Sequence, residues 1–136
     1  MLGCGMTLTD PIEARVVRHP ELELLAGKVT NEGGELRQLS GSDYGLAASI
    51  MVAEVAPGSG PRRHRHPHAE ILVLHDGQGR FEVEGAEFDA EAGDAVIIPP
   101  DAWHSFRNTG AGMLRQTAFH QNPRAVTLFE DGSRRE

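Results

Sequence analysis

The sequence predicts an all-β single domain, a sandwich or barrel of about ten short strands. Three observations lead there. The chain has 136 residues, enough for one core and too few for two. Its apolar residues fall in brief runs, with 16 Gly and 8 Pro standing between them rather than in a low-complexity tract. Strong amphipathic helical periodicity does not occur in the sequence, nor does a repeat of about 20–50 residues.

Residues 1–10 are short and polar and are expected to fray. The β domain is expected over residues 11–130, with the charged residues 131–136 as a loose end. Ile12 to Arg18 is partly β-branched and stops at His19-Pro20. Glu21-Leu22-Glu23-Leu24 alternates and ends near Gly27. Asn31-Glu32-Gly33-Gly34 signals a turn, then come Leu36 to Leu39 and a second turn at Gly41-Ser42-Asp43. Leu46 to Val55 is rich enough in Ala to look helical by propensity. Its Ile50, Val52 and Val55 and its stop at Pro57-Gly58 make it a buried strand.

Ile71-Leu72-Val73-Leu74 is a continuous apolar run that stops at Asp76-Gly77, the pattern of a central strand. Gly79 to Gly85 alternates, with Phe81 and Val83 on one face and three charges on the other. Asp94 to Ile98 is closed by Pro99-Pro100, and Met113 to Phe119 and Ala125 to Phe129 follow.

Charge excludes one large class. Thirteen Lys and Arg against 20 Asp and Glu give a net charge of −7, whereas a nucleic-acid surface needs a basic excess. A sensor attached to DNA would also need a helix-turn-helix, and the residues before position 58 show turns and strands instead. The lone cysteine, Cys4, forms no intrachain disulfide. Leu2-Gly3-Cys4 has the form of a lipoprotein cleavage site without the apolar region that should precede it, and Met6 is an equally good start. Without an apolar run of about 18 residues, no membrane span is expected, and the chain reads as cytoplasmic.

Four side chains carry candidate chemistry. His64, His66 and Glu70 precede the strand Ile71 to Leu74, and His104 follows Pro99-Pro100. Residues at i and i+2 on a strand share a face, so two imidazoles can lean toward one ion and Glu70 starts on the same side by parity. A carboxylate adds a hard oxygen and a negative charge; His104, on a later strand, would complete a set of three nitrogens and one oxygen. On a six-coordinate metal that leaves positions for water or substrate. Four ionisable groups pointing into one barrel would need heavy compensation without a cation. The donor set suits Fe, Mn, Ni, Cu or Zn and does not choose among them.

These residues stand in two motifs of a known family. Gly58, His64, His66, Glu70 and Gly77 match the first cupin motif, G-x5-H-x-H-x3,4-E-x6-G, and Gly93, Pro99, His104 and Asn108 match the second, G-x5-P-x-G-x2-H-x3-N. Asp101 stands where the second motif has its other glycine. The chain thus resembles a small single-domain cupin. That resemblance implies a double-stranded β-helix, or jelly-roll barrel, with one divalent metal in its mouth held by His64, His66, Glu70 and His104. It does not imply one reaction. The family includes dioxygenases, oxalate decarboxylases, sugar isomerases and non-catalytic storage proteins. A metalloenzyme acting on a small organic molecule is the leading expectation, oxygenation first, then decarboxylation or isomerisation. Glu70 is the one candidate base, if it leaves the metal. A non-catalytic small-molecule or metal binder is the alternative, and a homodimer is a further expectation, since many similar proteins pair.

Other residues stand near this set. His68 has the same parity as His66 and is a rival ligand, but Pro67 between them breaks the ladder and the family spacing favours His64 and His66, so His68 is expected at the rim. His120 ends a strand and reads either as pocket-lining or as an ordinary polar end. Arg62, Arg63 and Arg65 flank the ligands and read either as solvated charges or as an attractant for an anionic substrate. Arg65 should face outward, and Trp103, next to a ligand, away from the metal.

Overall fold

A computed structural model of the chain describes residues 12–25 and 33–136. The tail expected over 1–10, with Cys4 and Met6, lies outside the described residues, as do Gly27 and half of the turn at 31–34. The described residues are almost entirely β. The strands are β1 (Glu23–Leu24), β2 (Gly34–Leu39), β3 (Ser49–Val55), β4 (His64–Arg65), β5 (Glu70–Asp76) and β6 (Gln78–Val83). They continue as β7 (Ala86–Glu91), β8 (Ala95–Ile98), β9 (His104–Asn108), β10 (Leu114–His120), β11 (Thr127–Phe129) and β12 (Arg134–Arg135). Among the described residues, helical structure is limited to two 3-10 turns, His19–Glu21 and Gly41–Asp43. Among the described residues no helix is long and apolar enough to cross a membrane.

The strands form two antiparallel six-stranded sheets, ordered β1-β2-β3-β10-β5-β8 and β12-β11-β4-β9-β6-β7. From β3 onward the chain passes repeatedly from one sheet to the other, which is the jelly-roll winding expected. Leu36, Met51, Val55, Leu72, Leu74, Phe81, Val96, Ile98, Leu114 and Phe129 are buried between the sheets. Each such side chain withdrawn from water contributes about 1.5–3 kcal/mol.

Alternation decides what faces this interior. Along β10, Leu114, Gln116, Ala118 and His120 are buried while Arg115 and Phe119 are exposed. Along β5, Glu70, Leu72 and Leu74 point in and Ile71 points out. The Leu46 to Val55 segment becomes a strand only at Ser49. There the Ser49 hydroxyl accepts from the Gly41 amide at 2.9 Å and lies 2.8 Å from the Pro123 carbonyl, ending the preceding turn. Within residues 131–136, expected as a loose end, Arg134–Arg135 form β12 and pair with β11.

Two turns set the register of the site. Gly77, between β5 and β6, has φ +84°, and a Cβ there would meet the Met113 carbonyl oxygen at 2.7 Å, so only glycine fits. Asp101 has φ +64°, the left-handed conformation that its glycine counterpart in the family motif would adopt without strain. Its amide donates to the His66 carbonyl at 2.7 Å, tying the turn before His104 to the segment that carries His66.

Candidate metal centre

β4 has only two residues, because Pro67 cannot continue a ladder. Residues 66–69 therefore cross from one sheet to the other, held by the Asp101 amide on the His66 carbonyl and the Gln121 amide on the Ala69 carbonyl. His64 stays on β4, directly opposite His104 on β9, and Glu70 opens β5 in the facing sheet. The sequence reading placed Glu70 on the histidines' own face of one strand. The structure brings it in from across the barrel instead, with the same convergence.

The four side chains meet at one buried point. His64 is 7% exposed, His66 3%, Glu70 5% and His104 2%. The ring centroids of His64 lie 4.3 Å from those of His104 and 5.0 Å from those of His66. One nitrogen from each of the three rings falls within 4.8 Å of the others. Glu70 Oε1 sits 3.2 Å from His66 Nε2 and 3.1 Å from His104 Nε2.

The protonation of these rings follows from their backbone partners. His64 Nδ1 lies 2.6 Å from the Arg62 carbonyl, His66 Nδ1 2.7 Å from that of Val126, and His104 Nδ1 2.9 Å from that of Ala102. A carbonyl only accepts, so each Nδ1 donates and each neutral ring carries its lone pair on Nε2. Burial, with the neighbouring His104 and His66, depresses the His64 pKa to about 3, so that ring is neutral at ordinary pH. Burial raises Glu70, but His104, His66 and His120 outweigh it and hold the carboxyl well below its usual range. His66 Nε2, His104 Nε2 and Glu70 Oε1 are buried and make no hydrogen bond. Each Nε2 approach to Glu70 Oε1 needs positive charge between the two atoms, supplied either by a proton on that ring, which is what holds the carboxyl low, or by a metal cation in its place. This donor set, with outer nitrogens fixed by carbonyls, fits a divalent metal.

Two further histidines lie beside it. His68 and His120 are 8% and 1% exposed, with His68 Nε2 3.1 Å from His120 Nδ1. His120 Nε2 is 3.6 Å from Glu70 Oε2. One nitrogen each from His66, His68 and His120 also falls within 4.8 Å, so His66 belongs to two adjoining histidine clusters. His68 is thus an inner residue and not one at the rim: the crossing between the sheets after Pro67, rather than strand parity, turns it inward. His120 lines the cavity.

The basic cluster, by contrast, is tied up outside. Arg63 pairs with Glu82 at 2.9 Å and Glu130 at 3.1 Å, Arg62 lies 3.4 Å from Asp131, and Arg65 stacks 4.9 Å from the Trp103 ring centroid. Arg65 and Trp103 face away from the histidines, as expected.

A cavity of about 50 Å³ opens from the histidines, walled on its apolar side by Met51, Val55, Leu72 and Ala118. Gln116 and Arg135 also line it, and the sequence reading named neither. The i, i+2 spacing of Gln116, Ala118 and His120 was the available signal for the first. For Arg135 there was none, since its short strand carries no apolar pattern.

Comparison with known proteins agrees with this geometry. The family model for the cupin domain matches residues 51–118, which hold all four converging side chains. The chain is 34% identical over 119 residues to the polyketide synthase protein CurC of Streptomyces cyaneus, covering 85% of this chain and 74% of that one. It is 32% identical over 79 residues to acireductone dioxygenase of Schizosaccharomyces pombe, covering 54% of this chain and 44% of the relative. Among solved structures, the formate complex of Lactobacillus farciminis oxalate decarboxylase superposes with a TM-score of 0.72 at 21% identity, over 82% of this chain and 34% of that one. That last likeness is one of fold. The chain spans most of CurC but less than half of the dioxygenase and about a third of the decarboxylase. With both histidine motifs in place, two sheets wound as a jelly roll and a family model covering half of its length, this chain belongs to the cupin family.

Proposed function

We propose that this cupin is a metal-dependent enzyme acting on a small, largely apolar organic molecule, with oxygenation as its first chemistry and decarboxylation or isomerisation next. His64, His66, Glu70 and His104 would hold one divalent ion of Fe, Mn, Ni, Cu or Zn. The observation that carries the reading is convergence: three Nδ1 atoms are committed to carbonyls, one nitrogen of each ring lies within 4.8 Å of the others, and His66 Nε2 and His104 Nε2 close on Glu70 Oε1. A bound ion would supply Lewis acidity toward substrate oxygens and, if redox-active, oxygen chemistry.

The chain's own residues supply the rest. The carbonyl-held rings are oriented before anything binds, so little side-chain entropy is lost on loading. The apolar wall excludes water and receives carbon skeleton. Likeness to CurC supports a polyketide type of substrate, whose carbon chain is apolar and whose keto and enol oxygens suit a hard ion. Likeness to acireductone dioxygenase supports oxygenation.

The test is elemental analysis of protein purified without added metal, beside His64→Ala and Glu70→Gln, followed by oxygen uptake with β-diketones and polyphenols. About one equivalent of ion is expected, lost in His64→Ala and reduced in Glu70→Gln, with chelator-sensitive oxygen consumption. Both variants keeping a full equivalent would refute the ligand set. Tight metal with no turnover of any compound would instead make the protein a non-catalytic binder.

A further inference from the structure

The cavity is lined by one arginine, Arg135, that forms no ion pair within 4.0 Å among the described residues. Thr127 pairs with Arg135 across β11 and β12, and Leu128 with Arg134. Residues opposed in an antiparallel pair share a face. Thr127 is 1% exposed and lines the cavity, so Arg135 is directed inward beside it, whereas Arg134 is exposed and pairs with Glu136 at 2.8 Å. Arg135 accordingly lines the same cavity as His64, His66 and Glu70.

Its surroundings leave it unsatisfied. Among the described residues, Arg15, Arg37, Arg62, Arg63, Arg80, Arg115 and Arg134 each lie within 4.0 Å of a carboxylate, whereas Arg18, Arg65, Arg107, Arg124 and Arg135 do not, and of these five Arg135 is the one that lines the cavity. Its Nε is buried and makes no hydrogen bond. Burial depresses its pKa, and Glu23 is the one charge that opposes this. A guanidinium remains protonated even so, and a half-buried one without an anion is costly. The residue is partly exposed while the histidines are buried, so Arg135 stands toward the open side of the cavity and the ligands at its floor.

We infer that Arg135 is the anion anchor of this cavity: it receives a carboxylate or enolate oxygen of the substrate while the apolar wall takes the carbon skeleton and another oxygen reaches the metal. The inference rests on the proposed metal-dependent function for its last element and on the register of β12 for the rest. It narrows the substrate to a molecule whose apolar carbon skeleton carries an acidic oxygen group, as in a β-keto acid. The guanidinium offers paired donors in one plane, the geometry that a carboxylate accepts and an amide does not.

The matched probes are acetoacetate and its neutral counterpart acetoacetamide, titrated calorimetrically into the full chain in metal-free and zinc-loaded form. Zinc has no redox chemistry, so binding is read without turnover by oxygen. Wild type should bind acetoacetate about tenfold or more tightly than acetoacetamide. Arg135→Gln should lose that preference by weakening acetoacetate alone, Arg135→Lys should keep part of it, and Arg134→Gln, on the outer face of the same strand, should keep all of it. Equal affinity of the two probes in wild type, absence of acetoacetate binding, or an unchanged preference in Arg135→Gln each overturns the anchor. Failure of the metal reading looks different: the protein takes up no zinc, yet the dependence of acetoacetate binding on Arg135 persists in the metal-free titration.

Discussion

His64 and His104 are direct register partners across β4 and β9, their rings 4.3 Å apart, although 40 residues separate them in the chain. Pairing of the two strands thus assembles half of the candidate metal centre before any ion arrives. His104→Leu should remove one donor while keeping side-chain bulk. In wild type, saturating metal should raise Tm, because an ion that binds only the folded state stabilises it by mass action. In His104→Leu that metal-dependent rise should vanish, and the metal-free Tm should fall as well, since the buried Ala102 carbonyl loses its donor and Glu70 loses a partner. Thermal melts with and without metal measure both. A full metal-induced rise in the variant would show that His104 is not a ligand.

Asn108 ends the strand that His104 begins, and its side chain closes three hydrogen bonds. Nδ2 donates to the carbonyls of Val55 and Gly112, each at 2.8 Å, and Oδ1 accepts from the Gly110 amide at 2.8 Å. Asn108 is 1% exposed and its bond to the Val55 carbonyl is buried, so water cannot replace that partner. Asn108→Ala should cost about 2–4 kcal/mol in urea unfolding, chiefly by stranding buried backbone groups. Asn108→Asp should cost a comparable amount, since a carboxylate cannot donate to either carbonyl. A loss below about 0.5 kcal/mol in both would show that the network does not hold this end of the barrel.

How much of this was legible differs element by element. The alternation of Phe81 and Val83 with charged neighbours, and the stops at Gly77 and Pro99-Pro100, gave β6 and the edges of the site directly. The four converging residues were legible because their spacing matches two family motifs. The route of Glu70 was not, since parity along a strand says nothing of a chain that leaves its sheet at Pro67. The apolar run Ile71 to Leu74 gave a central strand, and β5 is indeed paired on both edges, yet its two faces are not equally covered. Ile71, Ile97 and Phe119 lie side by side on the outer face, 43%, 73% and 46% exposed. Hydrophobicity alone does not distinguish a strand covered on one side from one covered on both. His120 and Arg135 needed the register of their strands to be placed at all, and His68 the path of the crossing between β4 and β5.

Asp101 occupies a left-handed position next to the metal centre, with its amide on the His66 carbonyl. Asp101→Gly should relieve backbone strain and leave the folded protein within about 1 kcal/mol of wild type, the gain in the native state being offset by a more flexible unfolded chain. Asp101→Val should cost about 1–2 kcal/mol or more, because a β-branched residue is poorly tolerated at positive φ. Urea midpoints decide the ordering. Val tolerated as well as Gly would mean that the turn relaxes to another conformation and does not fix the His66 segment.

Acid should destabilise the metal-free protein well above the pH at which carboxylates titrate. Burial, opposed by Glu70, depresses His120 to about 4, and burial with its histidine neighbours depresses His64 to about 3, both from an ordinary value of 6.5. In the unfolded chain these rings regain that ordinary value. Between pH 6.5 and about 4 the unfolded state therefore binds protons that the folded state refuses, so unfolding becomes easier as pH falls. Above 6.5 both states hold the rings neutral, and they contribute no slope. Urea unfolding of chelator-treated protein at a series of pH values should show a flat region above neutrality and a steady decline below pH 6.5. His120→Gln should make the decline shallower by about one proton, because its side chain does not titrate. A metal-free protein whose stability is unchanged down to pH 5, or a His120→Gln variant with the wild-type slope, would mean that these imidazoles accept protons inside the barrel.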